Sequence, residues 1–189
     1  GVGLTKKWWQ PETSISSTSS LVESVSTSSS SSHIINSEPV ANELDEVIAY
    51  PYPSNATIQT YFFDVNDDLE TQTKSIVYYE GKYYSSRGID VTLNNEEFMV
   101  SASSSGKVIK KTNDPTYGLT ILIESPNNII FSYSSLASSP LKEGDKVKKG
   151  DKIGKVGDTA IVEVGDDPHI HLEILKDGIK INPKSIGLK

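Results

Sequence analysis

Residues 141–184 decide the fold of this chain, and they read LKEGDKVKKGDKIGKVGDTAIVEVGDDPHIHLEILKDGIKINPK. Two short units of alternating apolar and charged residues lie between glycines. A loop rich in glycine and aspartate follows, and then a strand that carries His169 and His171. Side chains alternate between the two faces of a strand, so histidines at i and i+2 share a face. The pattern predicts half of a metal site, and the function depends on what the rest of the chain supplies.

The composition excludes several classes of function. The chain has 189 residues, 35% apolar and 23% charged, which is typical of one globular domain with an extension. The formal net charge of -7 and the pI of about 5.0 exclude an overall basic surface, so we expect no nucleic-acid partner. The absence of cysteine excludes disulfides and thiolate metal sites.

The first 38 residues differ in composition from the rest. Residues 1–11 contain Lys6-Lys7-Trp8-Trp9, and tryptophan is enriched at membrane interfaces. Two interpretations stay open: a membrane-proximal segment that follows a span upstream of Gly1, or a frayed terminus. Residues 12–38 are mostly serine and threonine, with too few apolar residues to offset the entropy of ordering, and predict a flexible linker. A tether between a membrane and a domain at residues 39–189 fits this layout.

Short strands separated by turn residues predict an all-β fold, either a sandwich or a barrel. Strands are expected at residues 60–63, 98–102, 107–111, 119–124 and 129–133. The runs on either side of Glu80-Gly81 predict a hairpin, stabilised by aromatic pairs between strands. Those aromatic residues are Tyr78, Tyr79, Tyr83 and Tyr84. The turn SPNN predicts a left-handed backbone at Asn128, because asparagine tolerates that conformation.

The glycine-punctuated units at residues 144–157 alternate in polarity. Val147, Ile153 and Val156 are expected to face a core, while the lysines between them face water. The simplest interpretation of the lysine cluster is a solvated face, and a local anion site is the alternative.

This pattern resembles a known family. The opening stretch, taken with VSASSSGKV at residues 100–108 and YGLTILIESPNNIIFSYSSL at residues 117–136, is similar to peptidase family M23. These are the LytM or lysostaphin-type zinc endopeptidases that cut peptidoglycan cross-links. The resemblance covers roughly residues 75–183 and implies a LytM-like β-sandwich or split barrel, a duplicated hybrid motif. The glycine-punctuated run alone also fits a biotinyl or lipoyl carrier domain, but the carrier's hairpin lysine motif is absent and HIHLEI is left unexplained.

A catalytic zinc needs three protein ligands and one open position for water. The resemblance implies two ligands from an H-x-x-x-D motif and the third from the second histidine of H-x-H. It also implies catalytic histidines in the first position of H-x-H and in Y-x-H-L. Asp90, His169 and His171 match these motifs. The ligand histidine is replaced by Ser86, and the Y-x-H-L histidine by Ser135.

Ser125 occupies a further position at which the family often has histidine. A neutral hydroxyl is a poor zinc ligand beside imidazole. The resemblance therefore predicts a degenerate, non-catalytic member that holds no zinc. In such a protein His169 is a vestigial catalytic residue, and Asp90 and His171 are vestigial metal ligands.

Residues 78–118, YYEGKYYSSRGIDVTLNNEEFMVSASSSGKVIKKTNDPTYG, are similar to one branch of the family, the stage II sporulation protein Q group. This resemblance implies a single-pass membrane protein whose domain lies in the forespore intermembrane space. It implies stage III sporulation protein AH as partner, a role in engulfment, and a place in a channel between forespore and mother cell. Contact with peptidoglycan is a further expectation.

Two other functions stay open at this point. Some degenerate LytM proteins regulate cell-wall hydrolases, and such a role needs a surface for an amidase or its activator. The other is a zinc peptidoglycan endopeptidase with an unusual ligand set.

Overall fold

The computed structural model describes residues 46–160 and 167–188. The predicted membrane-proximal segment and linker lie outside the described residues. Within the described ranges, no helix is long and apolar enough to cross a bilayer.

Strands dominate the described part of the chain, as the turn-separated pattern predicts. The strands are β1 (Thr57–Thr60), β2 (Ile76–Tyr79), β3 (Lys82–Ser85), β4 (Ile89–Thr92), β5 (Met99–Ser101), β6 (Gly106–Asp114), β7 (Gly118–Ser125), β8 (Ile129–Ser138), β9 (Lys146–Val147), β10 (Lys152–Val156), β11 (His169–Lys176) and β12 (Ile179–Ile181). The helical elements are a five-residue helix, α1 (Leu69–Thr73), and a 3₁₀ helix, Pro183–Ile186. The all-β prediction is confirmed.

One large antiparallel sheet holds most of these strands. Its main order is β1-β4-β11-β8-β7-β6-β9, while β10 pairs with β5 and with the end of β8, and β12 pairs with β11. The tyrosine-rich hairpin β2–β3 forms a separate two-stranded sheet. The strand with the two histidines therefore lies inside the large sheet, with β4 on one side and β8 on the other.

The central strands β4, β8 and β11 are buried on both faces, so buried and exposed residues do not alternate along them. Apolar side chains of β4, β8 and β11 alternate with polar ones, and the apolar set packs into the core. The core residues on these strands are Ile89, Val91, Phe131, Tyr133, Leu136, Ile170, Leu172 and Ile174. The opposite face of the same strands is polar and carries the candidate site.

Most predicted strands and turns are present, with one error in position. The expected strand at residues 60–63 is wrong, because β1 ends at Thr60. The amides of Tyr61 and Phe63 donate instead to the carbonyls of Lys74 and Ser86, which lie in loops. Phe62 is nevertheless buried. Aromatic residues can thus enter the core from an extended segment that pairs with no strand.

The turn chemistry follows the sequence closely. Asn127 and Asn128 both have positive φ, 62° and 56°, which confirms the left-handed prediction and extends it to the preceding residue. Glu80 and Gly81 have φ of 46° and 78°, and they close the predicted hairpin with a two-residue turn. Two consecutive positive φ angles are what a type I′ hairpin turn requires.

The glycine-punctuated units also behave as predicted. Val147, Ile153 and Val156 are buried in the core. The lysines of the segment are exposed, except for Lys155, which is partly buried and pairs with Glu97. Alternation of burial in these short strands thus follows the alternation of polarity in the sequence.

A tyrosine on β8 holds one loop to the core. Tyr133 is fully buried, and its hydroxyl accepts a hydrogen bond of 2.9 Å from the backbone amide of Ser103. Burial raises the pKa of Tyr133 to about 12, so the hydroxyl is neutral at physiological pH.

We predict that Tyr133→Phe destabilises the fold, because it leaves the Ser103 amide buried without its acceptor. The expected loss is about 1–3 kcal/mol in the free energy of unfolding. Urea denaturation followed by circular dichroism measures it. Tyr83→Phe is the matched control, because Tyr83 is 77% exposed and its hydroxyl contributes little. Equal denaturation midpoints for the two variants would contradict the prediction.

Candidate functional site

The two histidines of β11 lie on the polar face of the sheet. His171 is opposite Asp90 of β4 on one side and opposite Ser134 of β8 on the other. His169 is opposite Thr92 of β4. Residues directly opposite each other on neighbouring strands share a face, so the register brings the predicted Asp90 and His171 together. Both side chains are almost completely buried, at 1% exposure.

A short hydrogen bond joins this pair. Nδ1 of His171 lies 2.7 Å from Oδ1 of Asp90. An ionised carboxylate can only accept, so Nδ1 carries the proton and donates it to Asp90. Nε2 of the same ring lies 3.4 Å from Oε1 of Glu173, and that carboxylate accepts a hydrogen bond of 2.6 Å from Nζ of Lys180. Tyr117 stacks on the imidazole, with centroids 4.5 Å apart and 7° between the planes.

The electrostatics favour ionised carboxylates at both ends of this network. Burial by itself raises the pKa of Asp90. The charge of His171 and its hydrogen bond to the carboxylate lower the pKa by a larger amount, so the pKa lies below its ordinary value. Burial likewise raises the pKa of Glu173, and hydrogen bonds from His171 and Lys180 bring it below its ordinary value. The network is thus built to hold two buried carboxylates as anions.

His169 lies beside the pair and is held differently. Its Nδ1 lies 2.9 Å from the backbone carbonyl of Asp167, which can only accept, so Nδ1 donates. Its Nε2 is buried and has no hydrogen-bond partner among the described residues. The side chain is 2% exposed.

Ser86, at the position of the missing ligand histidine, closes a small turn. Its hydroxyl donates to the carbonyl of Gly88 at 3.0 Å and accepts from the Gly88 amide at 3.3 Å. A Cβ on Gly88 would lie 2.6 Å from the carbonyl oxygen of Leu172 and 2.9 Å from Cε1 of His171. Only glycine allows β11 to pass this close, so the turn and the histidine strand are locked together.

Ser135, at the position of the missing Y-x-H-L histidine, lies in a β-bulge. Its φ is 63°, and the register of β8 against β7 slips between the Leu119 and Ile121 pairs. A bulge re-aims the side chains around it. The Ser135 hydroxyl donates to the carbonyl of Gly157 at 3.3 Å, and the side chain is fully buried.

Sequence reasoning did not identify several residues of this face. Glu173 follows His171 by two positions, so the period of the strand was a signal that could have found it. Tyr117 reaches the site from the turn between β6 and β7 and Lys180 from β12, and nothing local in the sequence indicates them. The hydroxyls of Thr120 and Ser134, 2.9 Å apart, and of Ser132, 3.5 Å further on, form a buried chain next to His171.

Ser125 does not join the site. It lies at the end of β7, opposite Ile129, whereas His171 is opposite Ser134, five residues further along β8. A strand rises about 3.3 Å per residue, so Ser125 is roughly 16 Å from the pair. It packs instead against Gly106, where an added Cβ would lie 2.9 Å from the Ser125 hydroxyl oxygen.

The donor set fits a catalytic zinc poorly. Two ligand atoms at about 2.0–2.1 Å from a tetrahedral zinc lie roughly 3.3 Å apart. The facing atoms of Asp90 and His171 are 2.7 Å apart and share a proton. Within residues 46–160 and 167–188, no group of three or more histidine, cysteine, aspartate or glutamate side chains has the arrangement of a metal site.

We predict that Asp90→Asn lowers the free energy of unfolding by about 1–3 kcal/mol at pH 7, because a charge-assisted buried hydrogen bond is weakened. The pKa of Asp90 is depressed in the folded state. Its contribution is therefore complete above the unfolded pKa of about 3.9 and is lost as the pH falls through the folded pKa. Urea denaturation from pH 7 down to pH 3 measures the gap between wild type and variant, which should narrow below about pH 4.

Glu97→Gln is the control for this series, because Glu97 pairs with Lys155 at the surface. We expect its effect to stay within about 0.5 kcal/mol at every pH. A gap for Asp90→Asn that is independent of pH would contradict the stabilising role of the ionised carboxylate.

Comparison with known proteins places this fold in a family. The family model for peptidase family M23 matches residues 84–183, which is more than half of the chain. Stage II sporulation protein Q of Bacillus subtilis is 35% identical over 130 residues, which cover 68% of this chain and 46% of that protein. The chain thus spans about half the length of that curated relative.

Two solved structures have a similar fold and similar sequence identity. A crystal structure of the SpoIIIAH–SpoIIQ complex contains a chain that is 33% identical, with a TM-score of 0.68, covering 73% of this chain and 98% of that one. A structure of the SpoIIQ–SpoIIIAH pore-forming complex gives 33% identity and a TM-score of 0.69, covering 75% of this chain and 90% of that one. The sequence match and the arrangement of strands lead to one conclusion: the chain belongs to peptidase family M23.

Proposed function

We propose that this chain is a non-catalytic, membrane-tethered interaction domain of the stage II sporulation protein Q type. The proposal rests on which residues occupy the polar face and on the hydrogen bonds that they make. Ser86 and Ser135 stand where the peptidase motifs have histidines, and both hydroxyls bond to backbone carbonyls. Asp90 and His171 bond to each other. These hydrogen bonds occupy the remaining motif residues, and the face offers too few ligands for a water-activating metal.

The likeness to stage II sporulation protein Q supports a protein partner. The solved relatives are described as complexes with SpoIIIAH, one of them pore-forming. We infer that this chain binds a protein of the stage III sporulation protein AH type. The proposed setting is the space between the forespore and mother-cell membranes, during engulfment, with the chain anchored upstream of the Ser/Thr-rich linker.

The tyrosine hairpin is the surface best suited to such a partner. Val77 on its inner face is 7% exposed, whereas Ile76, Tyr78 and Tyr83 on its outer face are 40%, 62% and 77% exposed. Tyr78 and Tyr83 are opposite each other, with ring centroids 5.0 Å apart. Exposed aromatic pairs of this kind are enriched in protein interfaces, where they supply contact area at low entropic cost.

The edges of the hairpin also suit a partner strand. A two-residue turn makes Tyr79 and Lys82 the hydrogen-bonded pair, so the backbone groups of Tyr78 and Tyr83 point outward. Neither residue makes a backbone hydrogen bond to the described chain outside the hairpin. Isolated two-stranded sheets are marginal in water, and open edges invite pairing. We infer that the partner adds a strand to this sheet and packs against the two tyrosines.

The hydrolase-regulator alternative needs the same kind of surface but a different partner. The endopeptidase alternative needs a bound metal and cleavage of peptidoglycan. Zinc content, peptidoglycan cleavage and the identity of the partner separate the three functions.

We predict no stoichiometric zinc binding by the wild-type chain and a gain of zinc affinity for Ser86→His combined with Ser135→His. The added imidazoles supply the ligand types that zinc prefers. Isothermal titration calorimetry with zinc, together with metal analysis of the purified protein, makes the measurement.

Ser85→His is the matched control, because Ser85 is the exposed neighbour of Ser86 on the hairpin and should gain nothing. Stoichiometric zinc in the wild-type protein, with cleavage of peptidoglycan, would overturn the non-catalytic assignment. No gain for the double variant would show that Asp90 and His171 do not separate to accept a metal.

We predict that Tyr78→Ser combined with Tyr83→Ser weakens binding to the stage III sporulation protein AH of the same organism at least tenfold, because the aromatic contact is lost. Calorimetry with the two purified envelope domains measures the affinity. Ile179→Ser is the control, since Ile179 is 70% exposed on β12 and outside the hairpin, and it should change the affinity less than twofold.

An unchanged affinity of the double variant would show that the partner binds to another surface of the chain. Absence of binding by the wild-type chain would argue against the sporulation assignment. Capture of only hydrolases or their activators from sporulating cells would favour the regulator.

A further inference from the structure

A groove of about 890 Å³ lies at the edge of the large sheet, away from the polar face. Its walls are the paired ends of β6 and β9, together with the turn between β7 and β8. Ser125 and Gly106 are among its lining residues, so it is at the end of β7 that is remote from His171. None of Asp90, His169 and His171 lines this groove, and neither does any residue of the tyrosine hairpin.

Four of the seven charged residues that line the groove are lysines, and three are carboxylates. The lining includes Lys107, Lys146, Lys148 and Lys149, all of them exposed. The formal net charge of the whole chain is -7, so this clustering runs against the overall balance. At physiological ionic strength, charges further away than about 8 Å are largely screened, and a ligand in the groove responds mainly to the local lysines.

Two of these lysines face each other directly. Lys107 of β6 is opposite Lys146 of β9, so their Cβ atoms are about 5 Å apart on one face of the sheet. Like charges directly opposite on neighbouring strands are destabilising. A bound anion would relieve this repulsion at Lys146, whereas Lys107 also has Glu124 opposite it on β7.

Three carboxylates line the same groove, those of Glu46, Glu124 and Asp151. Glu46 accepts hydrogen bonds from the Ser105 amide and from the hydroxyls of Ser104 and Ser105. Oδ2 of Asp151 accepts from the Lys148 amide. Glu124 is exposed and opposite Lys107.

Within the described ranges, no ion pair involves the side chain of Lys107, Lys146 or Lys148. Lys149 differs, because its Nζ donates to the carbonyl of Val47 at 3.2 Å. Three ammonium groups in the groove are therefore available to a ligand.

We propose that this groove binds the phosphate groups of an extended polyanion. Lysine is a compact point charge suited to phosphate oxygens, and no arginine lines the groove to provide a bidentate fork for a carboxylate. The concave shape fits a chain better than the flat surface of a bilayer. A phosphodiester polymer of the cell envelope and a phospholipid headgroup share this chemistry, and the geometry favours the polymer.

Calorimetry on the full 189-residue protein tests the proposal with three probes: linear polyphosphate, inorganic phosphate, and vesicles containing phosphatidylglycerol. We expect polyphosphate to bind more tightly than inorganic phosphate and more tightly than vesicles, with affinity falling as salt rises. Lys107→Gln combined with Lys146→Gln should weaken polyphosphate binding at least fivefold. Lys82→Gln combined with Lys176→Gln, the same change of charge on exposed residues elsewhere, should change it less than twofold.

A stability measurement separates a binding role from a structural one. Because the two lysines repel each other, the Lys107→Gln and Lys146→Gln variant should unfold at the same urea concentration as the wild type or at a higher one. A lower midpoint would overturn the proposal by making the lysines structural. An equal loss of polyphosphate affinity in both double variants would show that only net charge matters. Tighter binding to vesicles than to polyphosphate would show that the ligand is a lipid. Neither result is compatible with the groove as a polyanion site. The proposal does not depend on the function proposed above.

Discussion

The buried hydrogen bond between Asp90 and His171 is the interaction on which the centre of the sheet depends. It ties β4 to β11, and β11 in turn pairs with β8 through six residues. A buried carboxylate is costly unless it is paired and hydrogen-bonded. The surrounding groups answer that requirement: Tyr117 covers the imidazole, and Lys180 neutralises the neighbouring Glu173. The polar face is therefore a buried, hydrogen-bonded part of the fold.

These hydrogen bonds explain how the fold is kept with serines at two positions where the peptidase motifs have histidines. Ser86 and Ser135 each donate to a nearby backbone carbonyl, Ser86 in the turn before β4 and Ser135 in the bulge of β8. Gly88 keeps the Ser86 turn pressed against the histidine strand. The strand architecture of this face is thus kept by packing and hydrogen bonds with serine at both positions.

The two proposed binding surfaces differ in their physical character. The hairpin presents exposed aromatic side chains and open strand edges, which suit another protein. The groove beside β6 and β9 presents the ammonium groups of four lysines, which suit phosphate oxygens. The two surfaces lie on different parts of the described fold, so the two proposed partners would not compete for one site.

The sequence by itself determined the strand-rich fold, the tight turns and the family. These features are local: period-two alternation places Val147, Ile153 and Val156 inside, and asparagine and glycine tolerate the positive φ of the turns. It also showed which peptidase positions hold serine. The prediction of a strand at residues 60–63 was wrong, because the amides there donate to carbonyls in loops that are distant in sequence. Local strand propensity contains no information about such contacts. Only the tertiary structure decided that Asp90 and His171 bond to each other and that Tyr117 and Lys180 complete the site. It also decided that Ser125 lies outside the site and that Lys107 is opposite Lys146. Each of these depends on register between strands far apart in the chain, and register is set by the packing of the whole sheet.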